Sequence, residues 1–309
     1  MEVRLAPDSA QRADTLVTVD LGLIVGDMGS ARVGVGWATL DCFRTQAGYT
    51  DRNFLGGARR MELNGRLWKI GARQSWKPCD AVDEDPFSEN LNYNVSPTFS
   101  QPTLFGRGPR SLPSITVYSE RRSEFLAFER LTSIGLLVSQ RIEPVSNVPL
   151  VLSYSTENGR TKAPPALFCA VFAVCVEEDR AQLEAWKWLA VAGASVVRDR
   201  TDNPFSPTRG SVVRVDFRHA SPLVGSSREV QFNKLVADGS RYWSVADGHV
   251  LAARLRLGGV LGADLEDAEH FIPPQERLYA GGPSTVRGYP QNELGPILYR
   301  ADAYDTIPG

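Results

Sequence analysis

Short runs of alternating apolar and polar residues recur along this chain, and they restrict its fold more than any other feature. Residues 213–218 alternate valine and phenylalanine with arginine and aspartate, and residues 251–257 alternate leucine and alanine with arginine. A period of two is the pattern of a strand with two different faces. Similar stretches lie at Arg32–Leu40, Met61–Lys69, Ile115–Glu120, Phe125–Gln140, Leu150–Ser155, Trp188–Val197 and Glu229–Val236. The pattern predicts an all-β protein of about eleven strands.

The same alternation fits either a membrane β-barrel or a soluble β-sandwich, because a half-solvated sheet also alternates. The longest uninterrupted apolar run, Ala166–Val176, is much shorter than the ~20 residues of a spanning helix. Several stretches reach the ~9 to 11 residues of a tilted membrane strand, whereas soluble strands average about 5 to 6. Aromatic residues near strand ends are typical of membrane interfaces, here Trp68, Trp76, Trp188, Tyr242 and Trp243. These features favour a barrel over a sandwich.

The predicted connections alternate between short and long, as in a membrane barrel with tight turns at one rim and loops at the other. Two long, polar connections are expected at Ala72–Leu91 and Glu157–Ala185. Within the second, Glu177–Trp188 has helical spacing and acidic residues in its first turn, which predicts a short helix. Short connections are expected at Asn53–Gly57, Pro144–Val148 and Ala237–Ser240.

Two motifs stand between the predicted strands. The first, Tyr279–Tyr289, reads YAGGPSTVRGY, and its glycines permit left-handed backbone and close approach. A guanidinium in a confined space needs a planar acceptor; the alternative is an ordinary surface turn. The second, Arg198–Gly210, reads RDRTDNPFSPTRG and runs into a strand; its proline and Asx residues favour a tight turn.

Both strings, and more weakly the segment 34–71, resemble the outer-membrane β-barrel assembly factors, which are the BamA-like and TamA-like bacterial surface antigens. The resemblance implies a transmembrane, antiparallel, up-and-down β-barrel, with sixteen strands in the family. It places the first motif in a loop that folds into the barrel lumen, through Gly281, Gly282, Val286, Arg287, Gly288 and Tyr289. It places the second on the periplasmic rim, through Asp202, Asn203, Pro204, Pro207, Thr208, Arg209 and Gly210.

The resemblance also divides the chain. Residues 1–30 are expected to hold the last strand of a periplasmic POTRA-like module and a linker, and residues 31–309 the barrel domain, truncated at its C-terminal strands. The start of the chain lacks the basic and apolar regions of a signal peptide, so the chain is expected to be part of a longer protein. The inner-wall aspartate that would pair with Arg287 in the family is not recognisable in the sequence.

Four cysteines, Cys42, Cys79, Cys169 and Cys175, fall at or beside the expected extracellular loops. This placement indicates two disulfides in an oxidising compartment, Cys42 with Cys79 and Cys169 with Cys175. Free buried thiols are the alternative. A zinc site is disfavoured, because there is no Cys-x-x-Cys pair and the chain has 3 histidines.

No catalytic pattern is present. The histidines are scattered, and neither His-Glu-x-x-His nor Gly-x-Ser-x-Gly occurs. The net charge of -2 argues against a nucleic-acid partner, and no cofactor is expected.

The function that the resemblance implies is non-enzymatic assembly of outer-membrane proteins, or polypeptide translocation. It would act by strand templating at a weak seam, with Gly34 and Gly36 weakening the first strand. The expected partners are outer-membrane lipid, unfolded client polypeptides, and periplasmic or lipoprotein partners of upstream modules. The alternatives are a passive outer-membrane pore, a two-partner secretion transporter and a soluble β-sandwich binding protein.

Overall fold

The computed structural model describes residues 2–5, 19–22, 26–72, 79, 85, 87, 90–103, 111–145, 147–165, 169, 176–262 and 272–295. Near the start of the chain, β1 (Glu2–Leu5) and β2 (Val19–Gly22) form a separate two-stranded sheet. The main sheet contains β3 (Gly29–Ala38), β4 (Cys42–Asp51), β5 (Arg60–Ile70), β6 (Asn92–Ser100), β7 (Ser111–Glu124), β8 (Phe128–Val145), β9 (Val148–Lys162), β10 (Lys187–Asp199), β11 (Gly210–Ala220), β12 (Phe232–Ala246) and β13 (His249–Leu261).

These eleven strands follow one another in the sheet in the order of the sequence, and every neighbouring pair is antiparallel. The predicted up-and-down β-architecture is therefore confirmed. Strand lengths run from 9 residues in β6 to 18 in β8, which is enough to cross a bilayer at a tilt. Within the described residues the sheet is open, with β3 and β13 as its two edges.

Consecutive antiparallel strands place alternate connections at opposite rims. We call the rim with the connections 52–59, 146–147, 200–209 and 247–248 the turn rim. The opposite rim, the loop rim, carries the long connections after β5 and β9. After β9, helix α1 (Glu177–Leu183) forms, as the spacing predicts, and buries Leu183. None of the described helices is long and apolar enough to cross a membrane.

The two faces of the sheet differ in chemistry. The outer face exposes large apolar side chains, including Val33 at 80%, Val35 at 86% and Leu255 at 64%. Exposed apolar bands of this kind are rare on soluble proteins and usual on membrane barrels. The outer face continues through Val95, Ile115, Val138, Leu152, Val213, Phe217, Leu235, Leu251 and Leu257. The other, inner face is polar, and residues 272–295 lie against it.

One predicted turn is wrong. Ala237–Ser240 lies inside β12 and pairs with β11 and β13, and the chain turns at Asp247–Gly248 instead. Both places contain Asp-Gly, the strongest hairpin signal. Gly248 has the positive φ of 74° that such a turn needs, while Asp238 forms an ion pair with Arg254 of β13. Pairing with β11 and β13, together with the ion pair to Arg254, therefore keeps Asp238 and Gly239 in an extended strand.

A small apolar core lies near the loop rim and fixes the beginning of the segment 272–295. Ile272 is buried among residues of β10, β11, the β11–β12 connection and β12, namely Leu189, Val191, Ala220, Val230 and Phe232. Burial of one such side chain contributes roughly 1.5 to 3 kcal/mol. This cluster therefore anchors the start of the segment to the sheet through apolar contacts.

Candidate functional site

The segment 272–295, here called the arginine segment, contains the YAGGPSTVRGY motif and crosses the inner face near the loop rim. It follows β13 in the chain, yet its contacts extend across the sheet from β7 to β13. These contacts reach Glu124 and Phe125 at the end of β7, Thr161 in β9, Arg218 in β11 and Lys234 in β12. A loop thus bridges strands that are far apart in the sheet order.

Glu276 joins the segment to the sheet through two ion pairs. Its carboxylate accepts a hydrogen bond from Arg218 Nη2 at 2.7 Å and one from Lys234 Nζ at 3.4 Å. The Glu276 side chain is 7% exposed. Buried charges are stable only when paired and hydrogen-bonded, so this ion triad ties the segment to two adjacent strands.

The residues around Glu276 add neutral contacts. Gln275 accepts a hydrogen bond from Thr161 Oγ1 at 2.8 Å. The Tyr279 hydroxyl donates to the carbonyl oxygen of Pro274 at 2.9 Å, and its ring lies 6.0 Å from the ring of Phe128. Burial raises the pKa of Tyr279 to about 12, and burial also lowers the pKa of Arg277. The first half of the segment is therefore packed and largely shielded from water.

The glycines of the motif allow the segment to fold back on itself. Gly281 and Gly282 have φ values of 109° and 87°. A Cβ at Gly281 would lie 2.2 Å from the carbonyl oxygen of Pro290, and one at Gly282 would lie 2.0 Å from Gln291 Oε1. The Gly282 amide donates to the carbonyl of Tyr289 at 2.9 Å, which closes the loop. Only glycine fits both positions.

Val286, Arg287, Gly288 and Tyr289 form the exposed tip of this closed loop. Gly288 has a φ of 95°. Within the part of the chain that the structure describes, Arg287 forms no ion pair and no hydrogen bond. The expected pairing of Arg287 with an inner-wall carboxylate stays a prediction.

The far end of the segment is held by Glu124, at the tip of β7. Gln291 Nε2 and Asn292 Nδ2 donate to Glu124 Oε1 at 3.2 and 3.0 Å, and Asn292 also donates to the carbonyl of Phe125 at 3.0 Å. The tip with Arg287 thus lies between two fixed points, Glu276 and Glu124.

The motif with Asp202 lies in the connection between β10 and β11, on the turn rim. Asp202 accepts hydrogen bonds from the Thr208 and Arg209 amides at 2.9 and 3.0 Å, and from the Thr208 hydroxyl. These bonds, the Thr208 hydroxyl first, hold the pKa of Asp202 well below its ordinary range. Asn203 accepts from the Phe205 amide at 2.9 Å. Pro204 and Pro207 have no backbone N–H and therefore need no acceptor, which suits a turn in which Asx side chains accept from the other amides.

Gly210 ends this turn. Its φ is 107°, and a Cβ there would lie 2.1 Å from the carbonyl oxygen of Arg200. The side chain of Phe205 is 96% exposed at the tip.

The structure joins Cys42 and Cys79 by a disulfide with a Cα–Cα distance of 5.3 Å. Both residues are fully buried, next to Ala72. Nearby, Lys69 and Asp85 form a buried ion pair at 3.2 Å. Cys169 is also disulfide-bonded, and Cys175 lies outside the described residues. Among the described residues no group of three or more metal-ligating side chains is present.

A polar cavity of about 350 Å³ lies between the arginine segment and the inner face. Its lining includes Tyr118, Glu120, Glu157, Arg218 and Glu276. The Tyr118 hydroxyl donates to Glu157 at 2.6 Å, and Arg130 Nη2 donates to the same carboxylate at 2.8 Å. The sequence motifs did not identify these wall residues or Glu124. Their only sequence signal is their position on the polar face of predicted strands.

Comparison with known proteins agrees with this architecture. Residues 18–306 match the family model of the Omp85 superfamily domain. The chain is 32% identical over 107 residues to the outer membrane protein assembly factor BamA of Nitratidesulfovibrio vulgaris, a match that covers 35% of this chain and 13% of that protein. A crystal structure of Haemophilus ducreyi BamA that lacks POTRA domains 1–3 matches with a TM-score of 0.68 at 17% identity.

That structural match covers 96% of this chain and 52% of the solved chain, so the protein spans about half of that structure. The low identity makes it evidence for the fold. The family model, by contrast, covers nearly the whole sequence, and members of the family are integral β-proteins of the outer membrane, as the exposed apolar outer face requires. The chain is therefore an integral outer-membrane protein that belongs to the Omp85 superfamily.

Proposed function

We propose that this protein takes part in the assembly of β-barrel proteins in the outer membrane. The observation that carries the proposal is the arginine segment, which is packed on the inner face of a membrane sheet instead of extending into solvent. Membership in the Omp85 superfamily and the similarity to BamA, whose name describes assembly, support it.

The proposed mechanism is strand templating at the edge formed by β3. An unpaired strand presents a row of free backbone donors and acceptors that another strand can complete. Gly34 and Gly36 lie on the inner face of β3, where the side chains of Gln46 and Arg44 approach to within 3.1 and 3.0 Å of an ideal Cβ. Strand glycines weaken packing, so this edge is the proposed place where a client strand enters.

The proposed domain division keeps residues 1–30 as the end of a periplasmic POTRA-like module and residues 31–309 as the membrane domain. The separate two-stranded sheet of β1 and β2 supports this boundary. The proposed partners are outer-membrane lipid, on the exposed apolar face, and unfolded outer-membrane polypeptides at the edge of β3. No catalytic step is part of the proposal.

Photo-crosslinking in living cells tests the templating mechanism. A photoreactive residue replaces Val35 on the β3 edge in one strain and Val215, in the middle of the sheet, in a matched control. We expect crosslinks from position 35 to newly synthesised outer-membrane proteins and few from position 215. Equal labelling from both positions would contradict templating at β3.

Depletion of the protein separates assembly from the alternative of a passive pore. In an assembly role, depletion lowers the folded, heat-modifiable fraction of other outer-membrane barrels. A normal folded fraction, together with a steady ion conductance of the purified protein in planar bilayers, would favour the pore.

A further inference from the structure

Two cations face each other on the inner face near the loop rim. Arg218 of β11 and Lys234 of β12 are direct cross-strand partners in the antiparallel register. Like charges directly opposite each other destabilise a sheet, and the Lys234 side chain is only 15% exposed. The sheet by itself thus contains an uncompensated pair of positive charges that requires an anion.

Glu276 supplies that anion from the arginine segment. Within the described residues it is the only carboxylate in ion-pair distance of Arg218 or Lys234, at 2.7 and 3.4 Å. It ends a short 3-10 turn, Pro274–Glu276, that follows Pro273. Proline fixes φ before binding, so the backbone presents the carboxylate with little freedom to lose.

Neutral contacts lie on either side of Glu276. Gln275 meets Thr161 of β9, and Leu278 packs over Gly258 of β13, where a Cβ would come within 2.7 Å of Leu278 Cδ1. These neutral contacts are individually small, on the order of 1 kcal/mol for a hydrogen bond. The charged contact is the stronger one, because hydrogen bonds to ionised groups are about twice as strong.

We infer that Glu276 is the positioning residue of the arginine segment: its carboxylate, inserted between Arg218 and Lys234, seats the segment on the inner face. The seated carboxylate in turn fixes the base from which the tip with Arg287 projects. The inference concerns the seating of the segment alone, and it is tested without any client protein, so it can fail independently of the assembly function.

An arginine-specific protease reports the seating. Arg277, next to Glu276, is partly buried, whereas Arg287 at the tip is exposed and serves as an internal reference. The test compares cleavage after Arg277 with cleavage after Arg287 in isolated outer membranes. The wall variant Arg218→Gln/Lys234→Gln leaves the cleaved sequence unchanged and removes both charged contacts of Glu276. In this variant we expect cleavage after Arg277 to rise at least about tenfold relative to Arg287.

The matched control is Arg214→Gln, which removes a positive charge from the same face of β11. It should leave the ratio unchanged. The exchange Glu276→Lys/Arg218→Glu places an anion at position 218 between cations at positions 276 and 234, and it should restore the protection of Arg277 from cleavage. The conservative variant Lys234→Arg should retain this protection. Heat-modifiable gel migration shows that each variant folds. An unchanged ratio in the folded wall variant, or no recovery in the exchanged pair, would overturn the inference.

Discussion

The ring of Tyr118 in β7 lies across Gly135, its cross-strand neighbour in β8. A Cβ at Gly135 would fall 2.2 Å from the Cζ atom of the ring. The ring is not free to move aside, since its hydroxyl donates to Glu157 in β9 at 2.6 Å. The glycine therefore creates the space in which a tyrosine links three strands.

Replacement of Gly135 by alanine should destabilise the folded sheet. The added methyl group forces the Tyr118 ring away and breaks its bond to Glu157, and overpacking of this kind costs about 1 to 3 kcal/mol. The measurement is the urea midpoint of heat-modifiable migration. Gly65→Ala is the control, because a Cβ there meets nothing within 4 Å. Equal midpoints for the two variants would contradict the role of the glycine.

Replacement of Asp202 by asparagine should loosen the turn between β10 and β11. In the wild-type protein the Thr208 hydroxyl donates to the Asp202 carboxylate. The amide nitrogen of asparagine cannot accept this hydrogen bond. We expect faster hydrogen exchange at the Thr208 and Arg209 amides, with unchanged exchange in the strands. The control is Asp247→Asn in the Asp-Gly turn between β12 and β13, which should change little, because Asn-Gly suits such turns equally well.

The same carboxylate gives a pH dependence of known sign. Its pKa in the folded protein lies below the unfolded value of about 3.9. The stabilisation of the turn is therefore fully present above the unfolded pKa and is lost as the pH falls through the folded pKa. Exchange protection at Thr208, corrected for the intrinsic rate, should persist at pH 4 and fall only in stronger acid. In Asp202→Asn this acid dependence should disappear.

Tyr279 should make the seating of the arginine segment sensitive to alkali. Burial raises its pKa to about 12, above the usual value of 10.0. The stabilisation that the buried, neutral Tyr279 gives to the folded protein is thus fully present below the unfolded pKa. It is lost as the pH rises through the folded pKa. The measurement is the tyrosinate absorbance of the wild type minus that of the Tyr279→Phe variant. This difference should rise with a midpoint near pH 12. A midpoint at 10 would show that the ring is solvated.

Loss of the disulfide between Cys42 and Cys79 should lower the stability of the loop rim beside β3. The bond closes a loop with a sequence separation of 37 residues, and crosslinks of this kind contribute roughly 2 to 4 kcal/mol. The double variant Cys42→Ser/Cys79→Ser should therefore unfold at a lower urea concentration. Treatment of wild type with reductant provides the comparison. An unchanged midpoint in both would contradict a stabilising role.

The strand pattern was readable only where the two faces differ clearly. β11 and β13 alternate apolar and charged residues, and both were predicted. β4 and β6 were not predicted. β6 is largely polar and contains Pro97. In the structure, Pro97 pairs with Leu63 of β5, while the pairing of β6 with β7 has a gap at Ser96 and Pro97. Two flanking strands thus hold in place a segment whose own residues carry little strand signal.

The motifs located the tip of the site but not its attachment. The glycines of the Gly-Gly and Arg-Gly pairs require left-handed backbone, which is a local property that the sequence reveals. Glu276 and Glu124 gave no signal, since an isolated carboxylate acquires a role only when distant cations or amides come within hydrogen-bonding distance. Their partners lie 42 to 168 positions away in the chain.

The sequence alone determined the all-β architecture, the turns at glycine and Asx residues and the resemblance to a membrane family, because each of these rests on residues close together in the chain. The tertiary structure decided which Asp-Gly pair turns, which strands lie beside each other and where the arginine segment rests. These outcomes depend on register: a pairing such as Arg218 with Lys234 places two charges together across the sheet, and only then does a carboxylate from a later loop find its position.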